Sequence, residues 1–501
     1  MKINQSPSNF VASPLLPYGV RQSILSCLVF LMATLAGADE VADLRKILAA
    51  LEVTPLEAAP EFPKEKIALG QALFFDPVLG GNRDVSCATC HHPTTATGDG
   101  RSRAVGTKAY VNEGKRMPDG LRLTAVKGGD PVLVGFESHK AAHPFTPRNS
   151  PEIFNRGDSA WKNLFWDGRI HEYEPGKFAL NSMRLTKSPG LYQLRIPESA
   201  ESLLAAQAMV PVLSSDEMRG DKGQADAGGH GNEVGEILGQ NEPKIWEALM
   251  KRLLDIEGYR DLFAKAYPEK PLDSLEFVDA GNAIAAFEIS AFTLRDSPWD
   301  KFLEGDDQAL NLTQMEGAKL FYGKAQCSTC HSGRLMTDQK MHNIGIIPIG
   351  PGPDSEEDAD YGVAHRSNAG LDEKYAFRTP PLRNVELTGP YMHNGAYTTL
   401  EAAVRHQLNP VHALENYDVN QLEPEFRGAV HNDSRTIKDV KSTMTAEMKM
   451  PLFLSDAEVG ALLEFLKSLT SPSARNLDHT IPESVPSGLK MILPFVDPNQ
   501  N

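Results

Sequence analysis

The 501-residue chain is 41% hydrophobic and 23% charged, the balance of a folded protein with material for two or three ordinary cores. Its 50 Lys and Arg stand against 66 Asp and Glu, a formal net charge of −16. That excess offers no basic stripe for phosphates and argues against a nucleic-acid partner, but it suits a neutral or basic protein drawn in by long-range attraction.

Ile24 to Leu35 is an apolar run preceded by Arg21 and followed by Ala36-Gly37-Ala38. This is the pattern of an export signal with an A-x-A cleavage site, and it is short for a transmembrane helix. Residues 1–38 are therefore expected to be a signal peptide. The mature protein is expected in the periplasm with no stable membrane insertion. Of five cysteines, Cys27 falls in the removed segment and four remain.

Those four make two runs, Cys87-Ala-Thr-Cys90-His91 and Cys327-Ser-Thr-Cys330-His331. C-x-x-C-H is the attachment signature of a c-type haem. Two thiols on one helical turn reach the two vinyl groups, and the adjacent imidazole turns onto the iron. A zinc site would instead want both C-x-x-C pairs at one metal, yet each pair carries its own His and they lie 240 residues apart. Two covalently bound haem c groups are expected, with His91 and His331 as proximal ligands.

The chain repeats around these motifs. Gly70, Leu73 and Phe74 precede the first, and Gly317, Leu320 and Phe321 the second, each set on one helical face. The glycine would let another helix cross closely. An apolar helix closes each half, Phe277 to Leu294 in one and Ser455 to Leu469 in the other. The second opens with the capping box Ser455-Asp-Ala-Glu458. The pattern predicts an all-α protein of two cytochrome c-like domains, residues 39–305 and 306–475, with long irregular loops and an irregular tail over 476–501. Asp354 to Asp360 reads as a solvated loop, and His92 as a surface residue.

Several segments in order resemble the bacterial di-haem cytochrome c peroxidases, a group that includes the MauG-type enzyme maturing methylamine dehydrogenase. They are Leu73-Phe-Phe-Asp-Pro77, Pro147-Arg-Asn-Ser-Pro151, Phe165-Trp-Asp-Gly-Arg169, Asp216-Glu-Met218 and Thr388-Gly-Pro-Tyr-Met-His-Asn-Gly395. The resemblance implies that His91 holds the peroxidatic haem and His331 the electron-transfer haem. It implies that Trp166 relays electrons between them, and that Glu217 and Gln207 act on peroxide as acid-base group and hydrogen-bonding partner. It further implies a Ca²⁺ ion held by the Asn149 side chain and the Thr388 and Pro390 carbonyls. Without it, Trp166 reads as core, Glu217 as a helix-start residue and Asn149 as a turn cap.

Two positions depart from the family pattern. The sixth ligand of the electron-transfer iron, usually Met, falls on Gln407, a poor ligand. His406 beside it is a candidate only if the helix register slips, and Met392 and His412 are lesser ones. The loop histidine that closes the peroxidatic iron in some members has only His139 and His143 as counterparts, at different spacing. The leading functional reading is reduction of hydrogen peroxide to water with electrons from a small donor protein, a cytochrome c or cupredoxin. The alternatives are a MauG-like oxidase modifying a protein or small molecule through a high-valent iron, and a non-catalytic di-haem electron carrier. A homodimer is a candidate assembly.

Overall fold

The glycines set how the helices cross. Lys64–Phe75 packs on Phe277–Phe292, and Leu312–Tyr322 packs on Asp456–Ser468. A Cβ added at Gly70 would stand 1.8 Å from the Ala283 carbonyl oxygen, and one at Gly317 would stand 2.0 Å from that of Ala461. Both crossings are therefore backbone-on-side-face contacts that any other residue would wedge apart. The aromatic rings beside each crossing repeat as well: Phe74 lies 5.3 Å from Phe287 at 56°, and Phe321 lies 5.2 Å from Phe465 at 58°. Ser455 and Glu458 form the capping box expected of them, and Glu276 with Asp279 forms one ahead of Phe277–Phe292.

This computed structural model describes residues 39–107, 145–181, 193–226, 229–237, 241–350, 352–353, 359–366 and 370–491, together with four short strands between 109 and 133. The expected signal segment and both His139 and His143 lie outside the described residues. Residues 1–51 and 52–501 separate into two units. In the first, residues 39–50 are a helix. No described helix is long and apolar enough to cross a membrane.

The fold of residues 52–501 is mainly helical with long irregular loops, as expected of cytochrome c-like domains. The long loop region of the first half also holds a four-stranded antiparallel sheet, Asn163–Leu164, Ile170–Glu174, Lys177–Asn181 and Gln193–Arg195. Only Lys177–Asn181 has much of a buried face, so the strands leave little alternation to read. Trp299 lies in a short helix, Pro298–Leu303, and is fully buried against Phe302, Tyr322 and Phe465. The Pro-rich segment after Ser471 has, among its described residues, only two short 3₁₀ turns, Pro472–Arg475 and Asp478–Thr480; Ala474, Leu477 and Val485 join the core of the first half, and Ser487 hydrogen-bonds the buried Asp76.

Two surface expectations are corrected, one of them only at Asp360, since residues 354–358 lie outside the described residues. Asp360 is 4% exposed because Arg148 grips its carboxylate with two hydrogen bonds, of 2.6 and 3.0 Å. His92 is 1% exposed: Pro93 turns the chain back, and the His92 imidazole accepts from the Thr94 N–H at 3.2 Å with its ring edge toward Phe75.

Candidate functional site: two cavities sharing one wall

Each C-x-x-C-H run starts on a tight turn. Cys87–Cys90 is one helical turn, with Ser86 as N-cap reciprocated by Thr89. Cys327–Thr329 is a tighter 3₁₀ turn. Both place the following His with its backbone N–H donating to the carbonyl of the first Cys, at 3.0 and 2.9 Å. The ring orientations are also paired. His91 Nδ1 is 3.2 Å from the Thr97 carbonyl, and His331 Nδ1 is 3.1 Å from the Met336 carbonyl. A carbonyl only accepts, so Nδ1 carries the proton and the Nε2 lone pair is left for a metal. Both acceptor residues, Thr97 and Met336, have positive φ, 62° and 55°, a backbone cost met at the same functional point in both halves. Burial lowers the pKa of both imidazoles, that of His91 to about 4, which keeps the rings neutral.

Cys87, Cys90 and His91 open onto a cavity of about 130 Å³ that is also lined by Trp166, Gln207 and Glu217. Cys327, Cys330 and His331 open onto a second, of about 400 Å³, with Gln407, Met392, Thr388 and Pro390 in its walls. Trp166, Asn149 and Pro151 line both. Apart from His406, the predicted site residues thus line two cavities that meet at one indole.

Backbone strain and hydrogen bonds fix that indole. Phe165 and Gly168 both have positive φ, closing a turn around Trp166 and Asp167. Trp166 Nε1 donates to the Asn149 carbonyl at 2.9 Å, and its own carbonyl accepts from the Arg378 N–H at 2.7 Å. His393 lies edge-on at 6.5 Å and stacks in turn on Phe377. Below the turn runs a buried charge chain: Asp360 to Arg148, Arg148 to Asp167 at 2.7 Å, Asp167 to Arg169 at 3.5 Å, and Arg169 to Glu217 at 3.4 Å.

Glu217 sits on a π-helical turn, Ser215–Arg219, capped by Ser214, a local geometry common at functional sites. Burial raises its pKa, opposed by Arg169 and reinforced by Asp216 and Asp167. A carboxyl so held keeps a proton more readily than an exposed glutamate. Gln207 comes from the other wall, near the end of Leu203–Ala208.

His406 does not line the second cavity. Its Nε2 donates to the Ile344 carbonyl at 2.9 Å and its Nδ1 pairs with the Tyr397 hydroxyl at 2.8 Å, so both nitrogens are engaged away from a metal. Gln407, one residue on, faces the cavity, as the 100° step of a helix requires. His412 is exposed and hydrogen-bonded to Asn416.

Sequence reasoning missed three groups. Glu288 lines the first cavity at 6% exposure with one carboxyl oxygen lacking a partner, and burial pushes its pKa up to about 8. The signal was an acid in the apolar interior of the helix Phe277–Phe292, well past the capping Asp279. Asp338 and His342 pair at 2.9 Å within reach of Cys330, on the wall of the second cavity; a loop acid and a histidine of the two-residue strand Met341–His342, four apart, gave no pattern. Arg169 was in a quoted motif with no role attached.

The donor chemistry fits a c-type haem in each cavity: two half-buried thiols without a disulfide, a neutral imidazole with its Nε2 freed, and largely apolar walls. A protein so built belongs to the class with paired cytochrome c-type centres. Residues 64–308 match the sequence profile of the di-haem cytochrome c peroxidases. The chain is 30% identical over 400 residues to cytochrome c551 peroxidase of Pseudomonas aeruginosa, covering 78% of this chain and 85% of that protein. It is 28% identical over 375 residues to the methylamine utilization protein MauG of Methylorubrum extorquens, covering 74% and 77%. In fold it is similar to the crystal structure of a MauG-like protein associated with microbial copper homeostasis, with a TM-score of 0.52, 23% identity, and coverage of 84% and 95%. The chain belongs to the di-haem cytochrome c peroxidase family, which includes both peroxidases and MauG proteins.

Proposed function

We propose that this protein is an exported, periplasmic peroxidase that reduces hydrogen peroxide to water with electrons from a small redox protein. The observation that carries the reading is the set of side chains around the smaller cavity: a C-x-x-C-H motif, Gln207 and Glu217 face one space whose wall, Trp166, also faces the other motif. Haem c groups, bound through Cys87 and Cys90 and through Cys327 and Cys330, would supply reversible iron redox chemistry. His91 and His331 would hold the irons.

The chain's own residues then divide the work. Gln207 orients the peroxide by hydrogen bonds. Glu217 accepts a proton from the near oxygen of the peroxide and returns it to the far one, so that water leaves rather than hydroxide. Arg169 holds Glu217 in place and limits the rise in its pKa. Electrons enter at the His331 half, residues 306–475, and cross by Trp166 to the His91 half, residues 39–305. A Ca²⁺ ion would take oxygen ligands from Asn149, Thr388 and Pro390, all of which line the larger cavity. The Asn149 side chain already donates from its nitrogen to the Arg101 carbonyl, which leaves its oxygen for a cation.

The similarity to MauG favours a second reading with the same residues, in which the oxidising equivalents pass to an external substrate. Glu217→Ala tests the shared site: peroxide turnover is lost while haem content is retained. Intact turnover would remove Glu217 from the chemistry. Steady consumption of peroxide with a reduced cytochrome c or cupredoxin separates peroxidase from oxidase.

A further inference from the structure

The hydrogen bond between Tyr397 and His406 has a fixed direction. Ile344 offers a carbonyl, which only accepts, so His406 Nε2 carries the imidazole proton and Nδ1 holds a lone pair. The Tyr397 hydroxyl, 2.8 Å away, must therefore donate to it. Tyr397 is 5% exposed and His406 1%, so water does not compete. Burial raises the phenol pKa and lowers that of the imidazole to about 4, so the resting pair is a neutral phenol on a neutral base.

The pair stands directly behind the wall of the larger cavity. Ile344, whose carbonyl accepts the His406 hydrogen bond, lines that cavity, as does Gln407, the next residue along the chain. Tyr391, another lining residue, donates its backbone N–H to the Tyr397 carbonyl at 2.7 Å. On the side away from the cavity, Tyr417 packs edge-on to Tyr397 at 5.7 Å, among exposed neighbours. Its hydroxyl donates to the Ala396 carbonyl, which cannot take up a proton.

We propose that Tyr397 and His406 form a one-electron redox site beside the second haem cavity. Tyr397 loses one electron to an oxidised haem centre, its phenolic proton moves to His406 Nδ1, and a neutral phenoxyl radical and an imidazolium result. The oxidised centre gains that electron. An external one-electron reductant later restores the phenol as the proton returns. Deprotonation in step with electron loss avoids a phenol radical cation, which gives Tyr397 the advantage over Tyr417. The oxidant rests on the peroxide chemistry proposed above; the site itself does not.

The haem-loaded protein, prepared with ring-deuterated tyrosine and with ordinary tyrosine, is oxidised in two ways and frozen for EPR. One arm uses hydrogen peroxide and the other a photo-oxidised ruthenium complex as external oxidant. A tyrosyl signal that narrows on ring deuteration is expected in both arms, and Tyr397→Phe abolishes it. In the unmutated protein, ENDOR in H₂O against D₂O is expected to reveal one exchangeable proton hydrogen-bonded to the phenoxyl oxygen. A signal in the ruthenium arm alone supports the redox site and removes the peroxide reading. No tyrosyl signal in either arm, a signal that survives Tyr397→Phe or is lost instead in Tyr417→Phe, or a radical lacking the exchangeable proton overturns the proposal.

Discussion

Two alanines placed on contacting helices should act in opposite directions. At Gly317 an added Cβ would lie 2.0 Å from the Ala461 carbonyl oxygen and 2.8 Å from Phe465 Cβ, where real contacts keep 3.0 Å or more. Relief needs about 1 Å of separation between Leu312–Tyr322 and Asp456–Ser468, which also loosens the Phe321–Phe465 ring contact. The obstacle is backbone, so the cost belongs near the top of the overpacking range, about 3 kcal/mol. Gly460 sits on the same helix as Ala461, but a Cβ there meets nothing within 4 Å. Gly460→Ala should thus stabilise by about 0.5–1 kcal/mol, the ordinary gain of Ala over Gly in a helix. Chemical denaturation of the two variants and the parent, followed by circular dichroism, gives both values. If Gly317→Ala unfolds no more easily than the parent, or both variants shift the same way, the close crossing is not what holds this half together.

The remaining predictions concern the site and its buried charges. Glu217→Gln should lower peroxide turnover by about 10²–10⁴-fold with both haems retained. In the parent protein, activity should fall as pH drops through a value above the ordinary glutamate range, because the raised pKa protonates the accepting carboxylate early; stopped-flow assays from pH 4 to 8 would read the midpoint. Trp166→Phe should slow electron arrival at the first haem without slowing donor oxidation at the second, which rapid-mixing spectra resolve. Asp360→Asn breaks a buried ion pair and should destabilise by about 3 kcal/mol or more. The Asp360 pKa is held far below its usual value by Arg148. Its stabilisation is therefore complete above the unfolded-state value, about 3.9, and is lost progressively as pH falls below it. Acid unfolding curves of parent and Asp360→Asn should converge there.

The paired turns at the two C-x-x-C-H runs were legible because an attachment signature of this kind has fixed spacings. Cys, Cys and His must fall at set intervals, and the Gly-x-x-Leu-Phe faces repeat because each half solves the same helix-crossing problem. The capping box at Ser455 was readable for the same local reason. What escaped was built from contacts far apart in sequence. Arg148 finds Asp360 across 212 residues, and no local pattern marks the latter as buried. His406 carried the right chemistry for a ligand, yet a carbonyl and a phenol claimed its nitrogens, a choice made by tertiary packing. Thr97 and Met336 take positive φ without being glycine, and the carbonyls they present to His91 and His331 left no trace in composition.

The proposed peroxidase requires two covalently tethered haems, one of them with an open iron. Intact-mass analysis of protein made with a competent maturation system, joined to the EPR spectrum of the oxidised form, tests this directly. Two haem adducts with one high-spin and one low-spin ferric signal are predicted, the high-spin signal converting on addition of cyanide. A single adduct, or two low-spin irons indifferent to cyanide and peroxide in every redox state, would contradict it.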